Sequence, residues 1–443
     1  MIIILITARP SHIIYALPIL LSFEYRVRLS SFSFDLSELA LLVVAIVWLM
    51  RVWQGNRVQA LDEERSDMWL ILALVVCALP ATFLESNTIH AASVYRDLIL
   101  PFLFLLVFLK ARLKKAQVHM LIKLACVLAL VNAVLGIIQY ATGNFLWFAG
   151  PDEAEWQAYK IGFAKLSMFA DLLGLRDTLP VGLYTGANNF GCFLSLPLCL
   201  ATTLAFSAGL AKRKRLICLV ASIVMFVCLL FTMFRSGLLV YIASMITVYL
   251  ILGRSRRPVR AVFAIALIGL AAFSFLSQGL FDWDQFGSIE GRQEMVSDAL
   301  TLIRAHPELL LTGGYADQYH AQTHAPQEIH NVALYLIVQF GLPATVIFFA
   351  FFMRFFRRVA LAAASVRGLE RNVLVAIAVS IGVNVFLYGS TTMLVDSVQT
   401  SIWLLFWVGV GGYLLAHSKA EVRCAFRPGV PQPAISPEQG AHA

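Results

Sequence analysis

Twelve apolar stretches recur along this chain, at residues 11–23, 34–50, 68–84, 95–109, 118–141, 186–208, 216–234, 237–253, 261–280, 331–353, 372–389 and 399–416. Several reach the roughly 20 residues that a helix needs to cross the hydrocarbon core of a bilayer. One soluble core would not need so many uninterrupted runs. Inside lipid every backbone N–H and C=O must be satisfied within the segment, so helices are the expected form. Composition agrees: the 443 residues are 60% hydrophobic and only 14% charged, where a soluble domain carries about a quarter charged residues. The expected fold is therefore all-α, a polytopic membrane protein with about twelve transmembrane helices and a long periplasmic loop before the tenth.

Basic residues set the expected orientation. With the N-terminus in the cytoplasm, the loops that fall inside hold 23 of the 34 Lys and Arg residues, and the segments outside hold nine. The inside clusters include Lys110, Arg112, Lys114 and Lys115, then Lys212–Arg215, and then Arg354, Arg357, Arg358, Arg367 and Arg371. A shift by one span would reverse the bias, so the positive-inside rule supports both the number of spans and their sense. The formal charge of +8 thus reads as a topology signal. It gives no nucleic-acid footprint, because the basic residues sit in short clusters beside spans. Cys77, Cys126, Cys192, Cys199, Cys218 and Cys228 lie in apolar spans and Cys424 in the tail, so no periplasmic disulfide is expected. The N-terminus lacks a small-residue cleavage site, and residues 11–23 read as a retained span.

Residues 1–416 form a single transmembrane domain on this reading, with periplasmic loops at 142–185 and 281–330 and a disordered cytoplasmic tail at 417–443. The stretch 154–174 has the mixed character of an interfacial helix. In the second loop, Met295, Val296, Ala299, Leu300, Leu302 and Ile303 follow helical spacing over 292–305. His306-Pro307 ends that helix. Thr312-Gly313-Gly314-Tyr315 then reads as a flexible turn.

The chain has no P-loop, dinucleotide fingerprint or zinc CxxC pair. Three residues on the expected outside half stand out. Arg235 interrupts an apolar run, where a charge is costly without a partner or water. It suits either a snorkelling helix end or a fixed cation for a phosphate group. Arg292 opens the loop helix, where backbone N–H groups also favour anions; pairing with Glu290 or Glu294 would explain it equally. His330 stands where the loop meets the next span, and is either a helix-start residue or a group able to accept a proton near neutral pH. His320, His324 and His330 with Asp317 and Glu328 supply metal-ligand types, but their spacing fits no compact zinc motif. No metal and no cofactor is expected.

The motifs resemble those of the O-antigen ligase and O-antigen polymerase superfamily of bacterial envelope glycosyltransferases. His330-Asn331, followed after nine residues by Gly341-Leu342-Pro343, is similar to the ligases' histidine motif. Gly291-Arg292, then His306-Pro307-Glu308 and Gly313-Gly314-Tyr315, resemble the stretch before it. Phe234-Arg235-Ser236-Gly237 resembles the family's arginine element between two spans, with Phe234 in place of the usual small hydroxyl residue. Gly186-Ala187-Asn188-Asn189-Phe190 resembles the start of an earlier span. The resemblance implies transfer of a glycan from an undecaprenyl diphosphate carrier, at the periplasmic face of the inner membrane. The acceptor would be the lipid A core for a ligase or a growing glycan for a polymerase, and the choice between them stays open. It further implies His330 as general base and Arg235 and Arg292 as diphosphate-binding residues, with Asn331, Tyr315 and Asn189 in support. A lipid-linked oligosaccharide transporter is the alternative, although these spans carry little charge away from their ends, where transporters place their sites.

Overall fold

The apolar runs fold into helices because that alone satisfies their backbone without water. The computed structural model describes residues 14–22, 26–29, 32–53, 62–84, 88–142, 182–183, 187–232, 235–252, 290–314, 331–388 and 398–425. In chain order the helices are α1 (Ala16–Leu21), α2 (Leu36–Trp53), α3 (Asp62–Leu84), α4 (Thr88–Lys110), α5 (Lys115–Thr142), α6 (Ala187–Ala205), α7 (Lys212–Phe231) and α8 (Arg235–Leu252). They continue with α9 (Glu290–Ala305), α10 (Leu309–Thr312), α11 (Val332–Ser365), α12 (Leu369–Val383) and α13 (Val398–Ala425). A five-residue π-helical segment, Asn384–Tyr388, prolongs α12.

The all-α membrane architecture is present. Among the described residues, seven helices (α3, α4, α5, α7, α11, α12 and α13) are long and apolar enough to cross a membrane. Shorter apolar helices occur at Glu38–Leu49, Asn189–Ala205 and Gly237–Leu252. The expected span 261–280 and the interfacial stretch 154–174 lie outside the described residues. The first expected span departs from the reading. Its helix has six residues, about 9 Å at 1.5 Å per residue, too short to cross by itself. The second expected span begins two residues late, because a β-hairpin precedes it: β1 (Arg26–Leu29) pairs antiparallel with β2 (Phe32–Asp35). The register sets Val27 opposite Phe34 and Leu29 opposite Phe32, a period-2 alternation that follows the strand pleat. At the other end of the chain, α13 runs on to Ala425, into the stretch read as tail.

The last helix is the axis of the bundle. α13 packs against α4, α5, α6, α11 and α12, and 94% of its apolar window is buried. Trp403, Phe406 and Trp407 are among its fully buried side chains, and Gly409 lets the Phe108 ring of α4 lie where a Cβ would stand. By contrast only 22% of the corresponding window of α7 is buried, and Leu216, Ile217, Val220 and Ile223 are exposed at helical spacing, as on a lipid-facing surface.

Named contacts give the direction of each helix. At one end, Asp67 opening the apolar part of α3 receives Arg354 Nε (3.0 Å) and Arg358 Nη1 (2.7 Å) from α11. Lys115 of α5 pairs with Glu370 of α12, Asn372 of α12 bonds Ser207 beyond α6, and His417 of α13 meets the Leu113 carbonyl. At the other end, Arg96 of α4 lies 3.7 Å from Glu38 of α2. There the Tyr140 ring of α5 stacks on Phe231 of α7 at 4.5 Å, and Gln399 of α13 bonds the Leu21 carbonyl of α1. The first group carries the clusters Lys110–Lys115, Lys212–Arg215 and Arg354–Arg371, and is called the basic end below. The starts of α2, α4, α6, α8, α11 and α13 all lie at the far end.

Candidate active site

At the far end, α9 and α10 dock onto the first turns of α11. The apolar spacing over 292–305 produces α9 as expected, and Ala299 and Leu302 are buried together with Leu309 of α10 and Val338 of α11. Ile303, Leu334, Tyr335 and Ile337 pack around them. Leu300, expected on the same face, is exposed. The helix stops at His306-Pro307, where His306 Nδ1 lies 3.1 Å from Glu308 Oε1.

α11 itself is two helices in one. Asn331 caps its start, with Oδ1 accepting from the backbone N–H groups of Ala333 (3.0 Å) and Leu334 (3.1 Å), the usual service of asparagine at this position. The helical geometry then breaks at Gly341 (φ 83°, ψ 167°). Pro343 follows in the first turn of the second half, where proline is tolerated. An unbroken helix would bond the N–H of residue 343 to the Gln339 carbonyl, and proline has no N–H. Gly314 supplies it: its N–H donates to the Gln339 oxygen at 3.0 Å.

Glycine is required on both sides of this junction. A Cβ on Gly313 would lie 2.5 Å from the Gln339 oxygen and the Phe340 nitrogen, and one on Gly341 would lie 2.8 Å from the Leu311 oxygen. A Cβ on Gly314 would lie 2.9 Å from Leu84 Cβ of α3. All three glycines have positive φ, which side chains rarely adopt. The Thr312–Gly314 stretch read as a flexible turn is thus a close backbone junction. Sequence reasoning missed that it meets Gly341-Leu342-Pro343, although both pieces were singled out separately.

A second anchor holds the chain before α6. Gln139 of α5 grips Gly182 twice, donating to its carbonyl at 2.7 Å and accepting its N–H at 2.9 Å. Asn132 accepts the Leu183 N–H at 3.0 Å. The Phe190 ring occupies the space a side chain on Gly182 would need.

The expected site residues fall as follows. Asn189 is half-buried in the first turn of α6, Arg235 opens α8, Arg292 lies in the first turn of α9, and Asn331 caps α11. Asn189, Arg235 and Asn331 therefore begin three helices at the far end, and Arg292 belongs to the helix docked on α11. The side chains of Arg235 and Arg292 lie outside the described residues, as do His330, immediately before the Asn331 cap, and Tyr315. The loop residues His320, His324, Asp317 and Glu328, considered above as metal ligands, also fall outside them. Among the described residues no group of three or more His, Cys, Asp or Glu is arranged to hold a metal.

No curated protein matches the chain. Residues 220–349, from within α7 to the second half of α11, match the family model described as O-antigen ligase, and that stretch contains Arg235, Arg292 and His330.

Proposed function

We propose that the protein moves a glycan from an undecaprenyl diphosphate carrier to a saccharide acceptor, on the lipid A core or on a growing glycan, at the periplasmic face of the bacterial inner membrane. The observation that carries the reading is spatial. Motif residues drawn from 189 to 331 belong to helix starts at one end of the bundle, and the basic clusters lie at the other. The positive-inside rule assigns the basic end to the cytoplasm, which leaves the far end for the periplasm.

The chemistry follows from the residue types. His330 as general base takes the proton of an acceptor hydroxyl. The freed oxygen attacks the anomeric carbon of the donor sugar, and the bond from that carbon to the diphosphate breaks. Undecaprenyl diphosphate leaves with the electron pair. Its growing negative charge meets Arg235 and Arg292, whose guanidinium groups match phosphate oxygens in pairs. Such charges, fixed in advance, stabilise the transition state without reorganising. The donor is already activated, so no nucleotide is consumed.

The direct test is transfer by purified protein from a lipid-linked donor to lipid A core or to a second repeat unit. Product with either acceptor is expected, and absence of product with both would overturn the reading. Orientation has its own expected outcome. In a background without native cysteines, Gln322→Cys and Gly150→Cys react with an impermeant thiol reagent applied from the periplasm, and Lys214→Cys does not. Labelling at position 214 from outside would reverse the assignment.

A further inference from the structure

We propose that Gly313, Gly314, Gly341 and Pro343 form a backbone clamp that aims a catalytic module at the rest of the bundle. This rests on the reading of His330 and Arg292 just given. The module consists of α9, α10 and the first nine residues of α11, Val332–Phe340. It holds together through Ala299, Leu302, Leu309 and Val338. It carries Arg292 at the start of α9 and His330 just before the start of α11, two residues 38 positions apart in the chain.

Arg235 and Asn189 are not part of this module. They begin α8 and α6, which pack against each other and against α12. A diphosphate held between Arg235 and Arg292 therefore spans two separately built bodies, and some element must set the angle between them. The break at Gly341 is where the module departs from the membrane-spanning half of α11. Four contacts build the junction, the first two within the module and the last two from it to the break and to α3. The N–H of Gly314 takes the place of the missing Pro343 N–H at the Gln339 carbonyl. The turn bearing Gly313 lies flat on the Gln339–Phe340 peptide. Gly341 lies against the Leu311 carbonyl, and Gly314 against Ala81 and Leu84 of α3. α3 is in turn tied to the opposite end of α11 by Asp67 with Arg354 and Arg358. The module's direction is thus referenced to a helix that runs the length of the bundle.

Alternative roles for the same glycines make different forecasts. If they serve packing alone, removing the break should cost stability and leave turnover per folded molecule unchanged. If they aim the module, a straightened helix should stay folded and lose turnover. The double variant Gly341→Ala/Pro343→Ala favours an unbroken helix, since alanine exceeds both residues it replaces in helix propensity.

The experiment attaches spin labels at Asp298→Cys on α9 and Met353→Cys on the second half of α11, both exposed, in a cysteine-free background. The wild-type frame should give one narrow distance distribution. In the double variant the distance should shift by several ångströms, and turnover per folded molecule should fall by about 10²-fold. A loss of that size is what a displacement of about 1 Å at a reacting centre can cost. An unchanged distance would overturn the clamp, and a shifted distance with wild-type turnover would overturn its role in the reaction. Should the double variant not fold, Pro343→Ala alone decides: it restores a competing N–H for Gln339, and must broaden the distribution and lower turnover about tenfold. Wild-type behaviour on both counts would end the proposal. The distance readout needs no activity, so absence of glycan transfer by the wild type would count against the functional reading and leave the clamp to be judged by the distances.

Discussion

Replacing His330 by alanine should lower turnover by about 10²–10⁴-fold, the usual worth of a general base, with donor affinity little changed. The variant should fold, because the start of α11 is capped by Asn331, whose Oδ1 accepts the N–H groups of Ala333 and Leu334. A base must be neutral to act, so turnover of the wild type should rise with pH and then level off, and His330→Ala should lack this rising limb. The decisive measurement is a transfer assay across pH with purified protein, with and without EDTA, beside a donor-binding measurement. Wild-type turnover in His330→Ala would end the assignment. Loss of activity on chelation, restored by Zn²⁺ or Mg²⁺, would replace it with a metal site built on the histidine-rich loop.

The second large effect is expected at the arginines. Arg235→Ala and Arg292→Ala should each lower turnover by about 10²–10³-fold, the scale of removing one group aimed at developing charge. Donor binding should weaken as well, since the diphosphate is charged before reaction. Lysine should restore little in either place, because an ammonium cannot reproduce the paired contacts of a guanidinium. Both residues stand in the opening turn of a helix, and the buried packing begins further along, at Leu238 and Tyr241 in α8 and at Ala299 and Leu302 in α9. Insertion and folding should therefore survive. The combined variant should lose less than the product of the two single losses, because groups acting as a unit are not additive. Full activity of both single alanine variants would remove the diphosphate assignment.

Much of this architecture was legible along the chain, and the reason is local. A helix in lipid satisfies its backbone from its own residues, so ten of the expected spans announce themselves as described apolar helices. The amphipathic α9 and its stop at Pro307 follow from spacing and from the missing N–H of proline. The first span and the β-hairpin were harder: α1 is short, and the alternation over Arg26–Asp35 runs into the next apolar stretch without a break.

What could not be read locally was which surface faces which. Among the seven long helices, α13 has the lowest mean hydropathy and is the most buried, and α7, far more apolar, is the least. A lipid tail and a leucine are equally apolar neighbours, so hydropathy in a membrane separates spanning from non-spanning segments but does not separate interior from periphery. The site shows the same division. Asn331, Arg292, the glycines and Pro343 were each visible as residue types suited to a cap, an anion and a break. That the N–H of Gly314 completes the carbonyl Pro343 leaves open was decided only when two backbones 25 residues apart came within 3.0 Å. Local composition is enough to mark the spans and the chemistry available at their ends; which ends share a face, and at what angle, depends on close contacts between segments that carry no mark of their partner.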